Sequence, residues 1–228
     1  MNKDYKVGII GVGYVGIQLV IQFAKKKIYV ECYDKDYDKI KKIKSGKSPF
    51  SYINDSVFKK ISKNISINKN FKSITKCDAI ILCLPTPLRK NKPDLSQIKD
   101  VWKELKNFIR KNQLIILEST SYPGTTEEIF VKYLKSNFEL GKNIFLAYSP
   151  ERENPGDKNF EFSKIPKIVS GINEKSKLLA GRLYSKIVNK VVYVDKIKIA
   201  EMAKLLENIY RSVNIALVNE LKIFSKRI

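Results

Sequence analysis

The sequence predicts an α/β fold, with a doubly wound, mostly parallel sheet followed by a long C-terminal helix. Three observations carry that prediction. Short apolar runs alternate with stretches whose apolar residues recur at helical spacing. The glycine-rich turn Gly11-Val12-Gly13-Tyr14-Val15-Gly16 joins the first run to the first helical stripe. Residues 198–228 read as one unbroken helical stretch.

The elements follow in order. Residues 6–10 are the apolar run expected of a strand buried on both faces. Over 14–27, Val15, Leu19, Ile21, Phe23 and Ala24 mark a helical stripe, and the lysines that close it suit a helix C-terminus. Residues 29–33 are a second strand, and 36–45 a second helix stopped by Gly46 and then Pro49. A strongly apolar strand over 79–84 ends at Pro85-Thr86-Pro87. A long helix spans 94–111, with Asp94 or Ser96 as its cap. Strand 114–117 leads to helix 125–138, strands 144–147 and 167–169 to helix 175–187, and 191–194 is the last strand. No internal repeat or low-complexity linker interrupts the chain. Residues 1–195 read as one cofactor-binding domain and 196–228 as the start of a second, helical one.

With 228 residues, the chain suits one large domain or one domain and the start of another. At 43% hydrophobic residues a packed core is expected. No apolar run approaches the roughly 18 residues of a membrane span, so no membrane partner is expected. Met1-Asn2-Lys3-Asp4 has no apolar stretch behind it, so no signal peptide is read and a cytoplasmic location is expected. The absence of histidine removes Ser-His-Asp and Cys-His catalysis and any His-ligated metal site, and no metal is expected. Cys32, Cys77 and Cys83 form no CxxC pair and lie in or beside apolar stretches, as buried thiols in a reducing compartment do.

Lys and Arg number 44 against 23 Asp and Glu, a formal charge of +21. That excess invites a nucleic-acid reading, but its texture argues otherwise. Lysines outnumber arginines 38 to 6, they are spread along the chain, and the longest run is Lys25-Lys26-Lys27. No arginine-rich arm or aromatic-interleaved basic stretch is present. The charge reads as a solvated lysine surface that also favours phosphate-bearing ligands, with no nucleic-acid partner.

Alternating strands and helices place ligands at the carboxyl ends of the strands. The polar residues there are Gly11, Asp34, Thr86, Thr120 and Glu151. The glycine turn fits G-x-G-x-x-G between a strand and a helix, the context that gives this short pattern its meaning and makes the fold Rossmann-type. Gly11 permits the tight turn, Gly13 lets a pyrophosphate approach the backbone at the helix N-terminus, and Gly16 allows close helix–strand packing. Asp34, at the end of the second strand, suits the ribose hydroxyls of NAD and repels the 2′-phosphate of NADP. Lys35 and Lys39 temper that preference. A glycine turn serving a different ligand is the competing reading.

Several further blocks occur in order: Leu84-Pro85-Thr86-Pro87-Leu88, Glu118-Ser119-Thr120, Tyr122-Pro123-Gly124-Thr125-Thr126-Glu127-Glu128, Ser149-Pro150-Glu151-Arg152-Glu153-Asn154-Pro155-Gly156 and Ala200-Glu201-Met202-Ala203-Lys204-Leu205-Leu206-Glu207-Asn208. With the glycine turn they make the chain resemble the nucleotide-sugar 6-dehydrogenases, the UDP-glucose/GDP-mannose dehydrogenase family, over residues 6–222. Ser51-Tyr52-Ile53 leans towards the branch acting on UDP-N-acetylhexosamines, UDP-N-acetylglucosamine above all. The resemblance implies a four-electron oxidation of the C6 hydroxyl to a carboxylate using two NAD, for surface polysaccharide synthesis, in a homodimer paired through the long helix.

Lys204 and Asn208, four residues apart, share one helix face. An ammonium there can stabilise an oxyanion and the amide can hold a water or the same oxygen; an ordinary solvated face is the alternative. The resemblance makes Lys204, Asn208, Glu151 and Thr120 catalytic. It also makes Arg152 and Arg211 substrate contacts beside Glu151, Lys204 and Asn208. Tyr14, Val15, Lys39, Thr86 and Thr120 join Gly11, Gly13, Gly16 and Asp34 around NAD. Thr86 and Thr120 also read as plain turn or cap hydroxyls. The family's acyl-transfer step uses a cysteine in a Gly-Gly-His-Cys segment downstream of the long helix. None of the three cysteines of these 228 residues matches it. The chain is therefore expected to be the NAD-binding half of such an enzyme or, alternatively, an inactive remnant that binds NAD.

Overall fold

The structure, a computed structural model, describes residues 5–90, 92–132, 134, 138–151 and 161–228. Its elements are β1 (Lys6–Ile10), α1 (Tyr14–Lys25), β2 (Tyr29–Tyr33), α2 (Tyr37–Lys44), α3 (Asp55–Ile61), β3 (Ile65–Asn68), β4 (Ala79–Leu82), β5 (Leu88–Arg89), β6 (Lys92–Pro93), α4 (Ser96–Leu105), β7 (Leu114–Leu117), α5 (Thr125–Lys132), β8 (Phe145–Tyr148), β9 (Lys167–Gly171), α6 (Glu174–Tyr184), β10 (Val191–Tyr193) and α7 (Ile197–Ser225). Eight strands form one sheet in the order β10-β9-β8-β7-β4-β1-β2-β3. Every pairing is parallel except β8 with β9, so the mostly parallel, doubly wound sheet is as the sequence predicts.

Alternation along each strand sends side chains to two cores. Val7, Ile9, Val30, Ala79, Ile81, Ile116 and Ala147 face α1, α3 and α6. Ile10, Ile80, Leu82, Ile115, Leu117 and Leu146 face α4, α5 and the first turns of α7. Trp102 and Phe130 tie α4 to α5, with ring centroids 4.7 Å apart. Each such fully buried apolar side chain contributes about 1.5–3 kcal/mol relative to exposure.

The differences from the sequence reading are local. Helix α1 stops at Lys25, because Lys27 turns left-handed at φ 60°. Helix α4 stops at Leu105, short of 111, and Asn112 is left-handed at φ 66°. The cap of α4 is neither Asp94 nor Ser96 but Leu95, which has no side-chain cap bond to give; the Asp94 carboxylate accepts from Ser96 N at 2.9 Å just before it. Helix α5 ends at Lys132; of the stretch expected to continue it, residues 133 and 135–137 lie outside the described residues. Helix α3 and strand β3 have no counterpart in the sequence reading. Their short, half-polar sequences, Asp-Ser-Val-Phe-Lys-Lys-Ile and Ile-Ser-Ile-Asn, carry too little periodicity to register. Among the described residues no helix is long and apolar enough to cross a membrane.

Candidate functional site

The parallel register lines up one row of strand ends. Ile10 pairs with Tyr33 and with Leu82, Leu82 with Leu117, and Leu117 with Tyr148. Backbone bonds continue one step beyond: Gly11 N to Tyr33 O at 2.8 Å, Cys83 N to Ile10 O at 2.8 Å, Glu118 N to Leu82 O at 2.9 Å and Ser149 N to Leu117 O at 3.1 Å. The loops carrying Gly11–Gly16, Asp34, Thr86, Thr120 and Glu151 therefore leave the same edge, as the sequence reading expected.

At the β1 end the backbone sets the geometry. Gly11 has φ +88°, and a Cβ there would lie 2.5 Å from the Cys83 carbonyl oxygen. A Cβ on Gly16 would lie 1.9 Å from Gly11 O, so α1 and the turn touch through bare backbone. A Cβ on Gly13 would meet nothing within 4 Å, so the space in front of the helix N-terminus is open. No side chain caps α1 and its first turn holds no acidic residue. Its free N–H groups, at Tyr14, Val15 and Gly16, and its dipole face that space. These features fit a dinucleotide's pyrophosphate.

Asp34 organises the same turn. Its carboxylate accepts from Val12 N at 2.8 Å and from Asp36 N at 2.9 Å. Lys39 stands 3.8 Å from Asp34 and 3.6 Å from Asp36. Exposed Tyr14 packs on Phe50 at 5.1 Å and stacks with Tyr52 at 6.0 Å, an aromatic rim beside the turn. The hydroxyls of Thr86 and Thr120 make no hydrogen bond among the described residues, so neither is a cap. Ser119 Oγ accepts from Leu84 N at 2.9 Å, locking their two loops together.

At the β7–β8 ends the geometry is ionic. Buried Lys167, on β9, reaches Glu118 at 3.0 Å and Glu151 at 2.8 Å. Glu118 also accepts from the Tyr184 hydroxyl. Burial pushes the Glu118 carboxyl up to about 7; Lys167 pulls it back, and Glu151 adds repulsion. Burial works against the Lys167 ammonium, but the two carboxylates overcome it and hold its proton more tightly than usual. Burial pushes the Tyr184 phenol well up, as does Glu118 beside it. The sequence reading missed Glu118, Lys167 and Tyr184. The one local signal is a lysine opening the buried strand Lys167–Gly171, a place where a charge survives only with partners.

Helix α7 brings the last group. Ile197, Ala200 and Glu201 are buried, Lys204 and Asn208 half-buried, and every residue from Ile209 on is exposed. Burial lowers the proton affinity of Lys204; Glu207 and Glu151 act to restore it, while Arg211 and Lys167 lower it further. Lys204 is thus within electrostatic reach of Glu151. Arg211 is exposed, and Arg152 lies outside the described residues.

Comparison with known proteins bears on the family and the fold. Residues 5–188 match the NAD binding domain of the UDP-glucose/GDP-mannose dehydrogenase family. The chain is 36% identical over 229 residues to a UDP-N-acetyl-D-glucosamine 6-dehydrogenase from Pseudomonas aeruginosa, covering 99% of this chain and 54% of that protein. It resembles the solved structure of a UDP-D-ManNAc dehydrogenase from Pyrococcus horikoshii with a TM-score of 0.87 at 32% identity, over 94% of this chain and 52% of that one. A UDP-N-acetyl-mannosamine dehydrogenase from Staphylococcus aureus gives a TM-score of 0.84 at 31% identity, over 95% and 53%. The chain spans about half the length of the curated relatives it matches.

Proposed function

The chain belongs to the UDP-glucose/GDP-mannose dehydrogenase family and carries its NAD-binding domain, and from this premise we propose that it is the cofactor half of an enzyme oxidising C6 of a UDP-N-acetylhexosamine to the uronic acid. UDP-N-acetylglucosamine is the proposed substrate, the product feeds surface polysaccharide, and the free thiols suit a reducing cytoplasm. Residues 1–195 form the cofactor domain in this reading, and 196–228 open a helical unit. The exposed Ile209, Val213 and Leu217 suit pairing with a second copy.

NAD supplies the hydride acceptor. Gly11, Gly13 and Gly16, with Tyr14 and Val15, hold its pyrophosphate, Asp34 and Lys39 its adenosine ribose, and Thr86 and Thr120 its nicotinamide end. Lys204 stabilises the oxyanion that develops at C6, more strongly for being half-buried. Asn208 holds that oxygen or a water. Glu151, steadied by Lys167, accepts a proton through water. Arg152 and Arg211 are assigned to the sugar nucleotide. What supports the reading is the open, uncapped amino end of α1 at Gly13, with Asp34 closing the turn beside it, on the same strand edge that Glu151 leaves.

Thermal-shift titration is the test. Saturating NAD+ at about 100 times Kd should stabilise the chain by about 2.7 kcal/mol, NADP+ should do less, and UDP-N-acetylglucosamine should bind in preference to UDP-N-acetylmannosamine. No NAD+ response would sink the reading.

One observation favours the second reading, an NAD-binding module without turnover of its own. Burial pushes Cys77 up to about 12 and raises the Cys32 and Cys83 thiols as well, so none is a thiolate nucleophile near neutral pH. Sustained NADH production from UDP-N-acetylglucosamine by these 228 residues rules that second reading out.

A further inference from the structure

One buried carboxylate pins the first turns of α7 to the domain. Glu201 is fully buried, and its oxygens accept from Gly124 N at 2.6 Å, Thr126 N at 2.9 Å, Thr126 Oγ1 at 2.7 Å and Ser121 Oγ at 3.4 Å. All four donors lie in the turn that leads from Thr120 into α5. The Gly124 and Thr126 amides belong to the amino end of that helix, where N–H groups lack intrahelical partners and the dipole favours an anion. Glu201 therefore caps α5 from a helix more than seventy residues further along the chain.

Among the described residues, the other holds on the first turns of α7 include apolar packing and one exposed ion pair. Ile197 and Ala200 pack beside Glu201, but apolar contact is non-directional and lets a helix roll or slide. The nearby Lys198–Glu127 pair is 3.8 Å apart and exposed, where ion pairs hold weakly. Lys204 comes one turn after Glu201, and beyond Asn208 the helix is exposed all round.

The geometry points to Glu201 as a positioning residue: by accepting four directional bonds from the turn after Thr120 and the start of α5, it fixes the roll and register of α7 and so sets where Lys204, one turn further on, is held. The inference rests on the reading of Lys204 proposed above for its use in catalysis, though its test does not. The charged groups facing Lys204 are Glu207 and Arg211 on its own helix, Glu151 beyond β8 and Lys167 on β9.

Competitive acetylation of the 228-residue chain across a pH series, read lysine by lysine by mass spectrometry, reports this placement. Exposed Lys222 on the same helix serves as the reference. Glu201→Ala should move the Lys204 profile upward by about half a pH unit or more as the amine re-enters water. Thr126→Val removes one donor without changing side-chain volume and should move it the same way by less. Cooperative unfolding, checked by circular dichroism, shows that a variant is folded; if Glu201→Ala is not, Thr126→Val decides. A folded variant in which Lys204 titrates as in the parent overturns the inference. Failure of the parent chain to respond to NAD+ would instead count against the cofactor reading, and the Lys204 profile would still be judged by itself.

Discussion

The two ends of the carboxyl edge are built by different means. The glycine-turn end is backbone geometry from a short stretch: residues 11–16, one carboxylate at Asp34 and open space at Gly13. The α7 end is side-chain electrostatics gathered from afar: Glu118, Glu151, Lys167 and Tyr184 meet from the ends of β7 and β8, from β9 and from α6, and Glu201 of α7 binds the turn before α5. The first end binds by presenting N–H groups that the fold leaves free. The second excludes water and pairs charges against one another, so it stores more electrostatic free energy and has more to lose from a single deletion.

The largest effect separates packing from binding at the first end. Gly16→Ala puts a methyl 1.9 Å from Gly11 O, backbone against backbone, so nothing can yield cheaply. Loss of about 3 kcal/mol or more is expected, together with loss of NAD+ binding. Gly13→Ala meets nothing within 4 Å. It should unfold within about 1 kcal/mol of the parent yet bind NAD+ poorly, because its methyl fills the space the pyrophosphate needs. Equal urea midpoints with equal NAD+ affinity for Gly13→Ala would remove the phosphate from that space.

At the other end, Lys167→Met strips the counter-ion from two buried carboxylates. Breaking such a group costs about 3–5 kcal/mol. Lys167→Met combined with Glu118→Gln removes the fully buried charge as well and should recover more than half of that. If the double variant is no more stable than the single one in urea, the cost is lost packing rather than unpaired charge.

Proton linkage probes the same cluster more gently. Glu118, faced by Lys167, Glu151, Tyr184 and Cys83, rises from the usual 4.5 to about 7. The folded chain therefore holds a proton there that the unfolded chain has released, and stability from this group is complete below about 4.5 and lost as pH rises through about 7. Across that window the slope should approach about 1 kcal/mol per pH unit. Glu118→Gln should flatten it, and identical pH profiles for parent and variant would show that Glu118 is not the group responsible.

The same contrast decides what the sequence could show. The glycine turn, Asp34 and the strands on either side of them were legible because a local pattern, G-x-G-x-x-G between an apolar run and a helical stripe, specifies local geometry. Glu118 and Glu201 stand inside recognisable blocks, yet nothing near either one says which side chain it meets. Glu118 finds Lys167 only because β8 and β9 pair antiparallel. Helix ends were misplaced where left-handed Lys27 closes α1, and where α4 gives way to a turn after Leu105, without a glycine or proline to announce either.

The smallest expected effect tests how far the two ends differ. Asp34→Asn keeps an oxygen for Val12 N, giving up the bond from Asp36 N, and it removes the charge that disfavours a 2′-phosphate. NAD+ affinity should fall about fivefold, roughly 1 kcal/mol, while NADP+ affinity holds or rises as Lys39 loses one of its two carboxylate neighbours, the one 3.8 Å away. Thermal stability should change by under about 1 kcal/mol, in contrast to Lys167→Met. An equal fall for both cofactors would mean that Asp34 acts through the turn it closes and not on the ribose. The first end would then depend on a buried polar contact in the same way as the second.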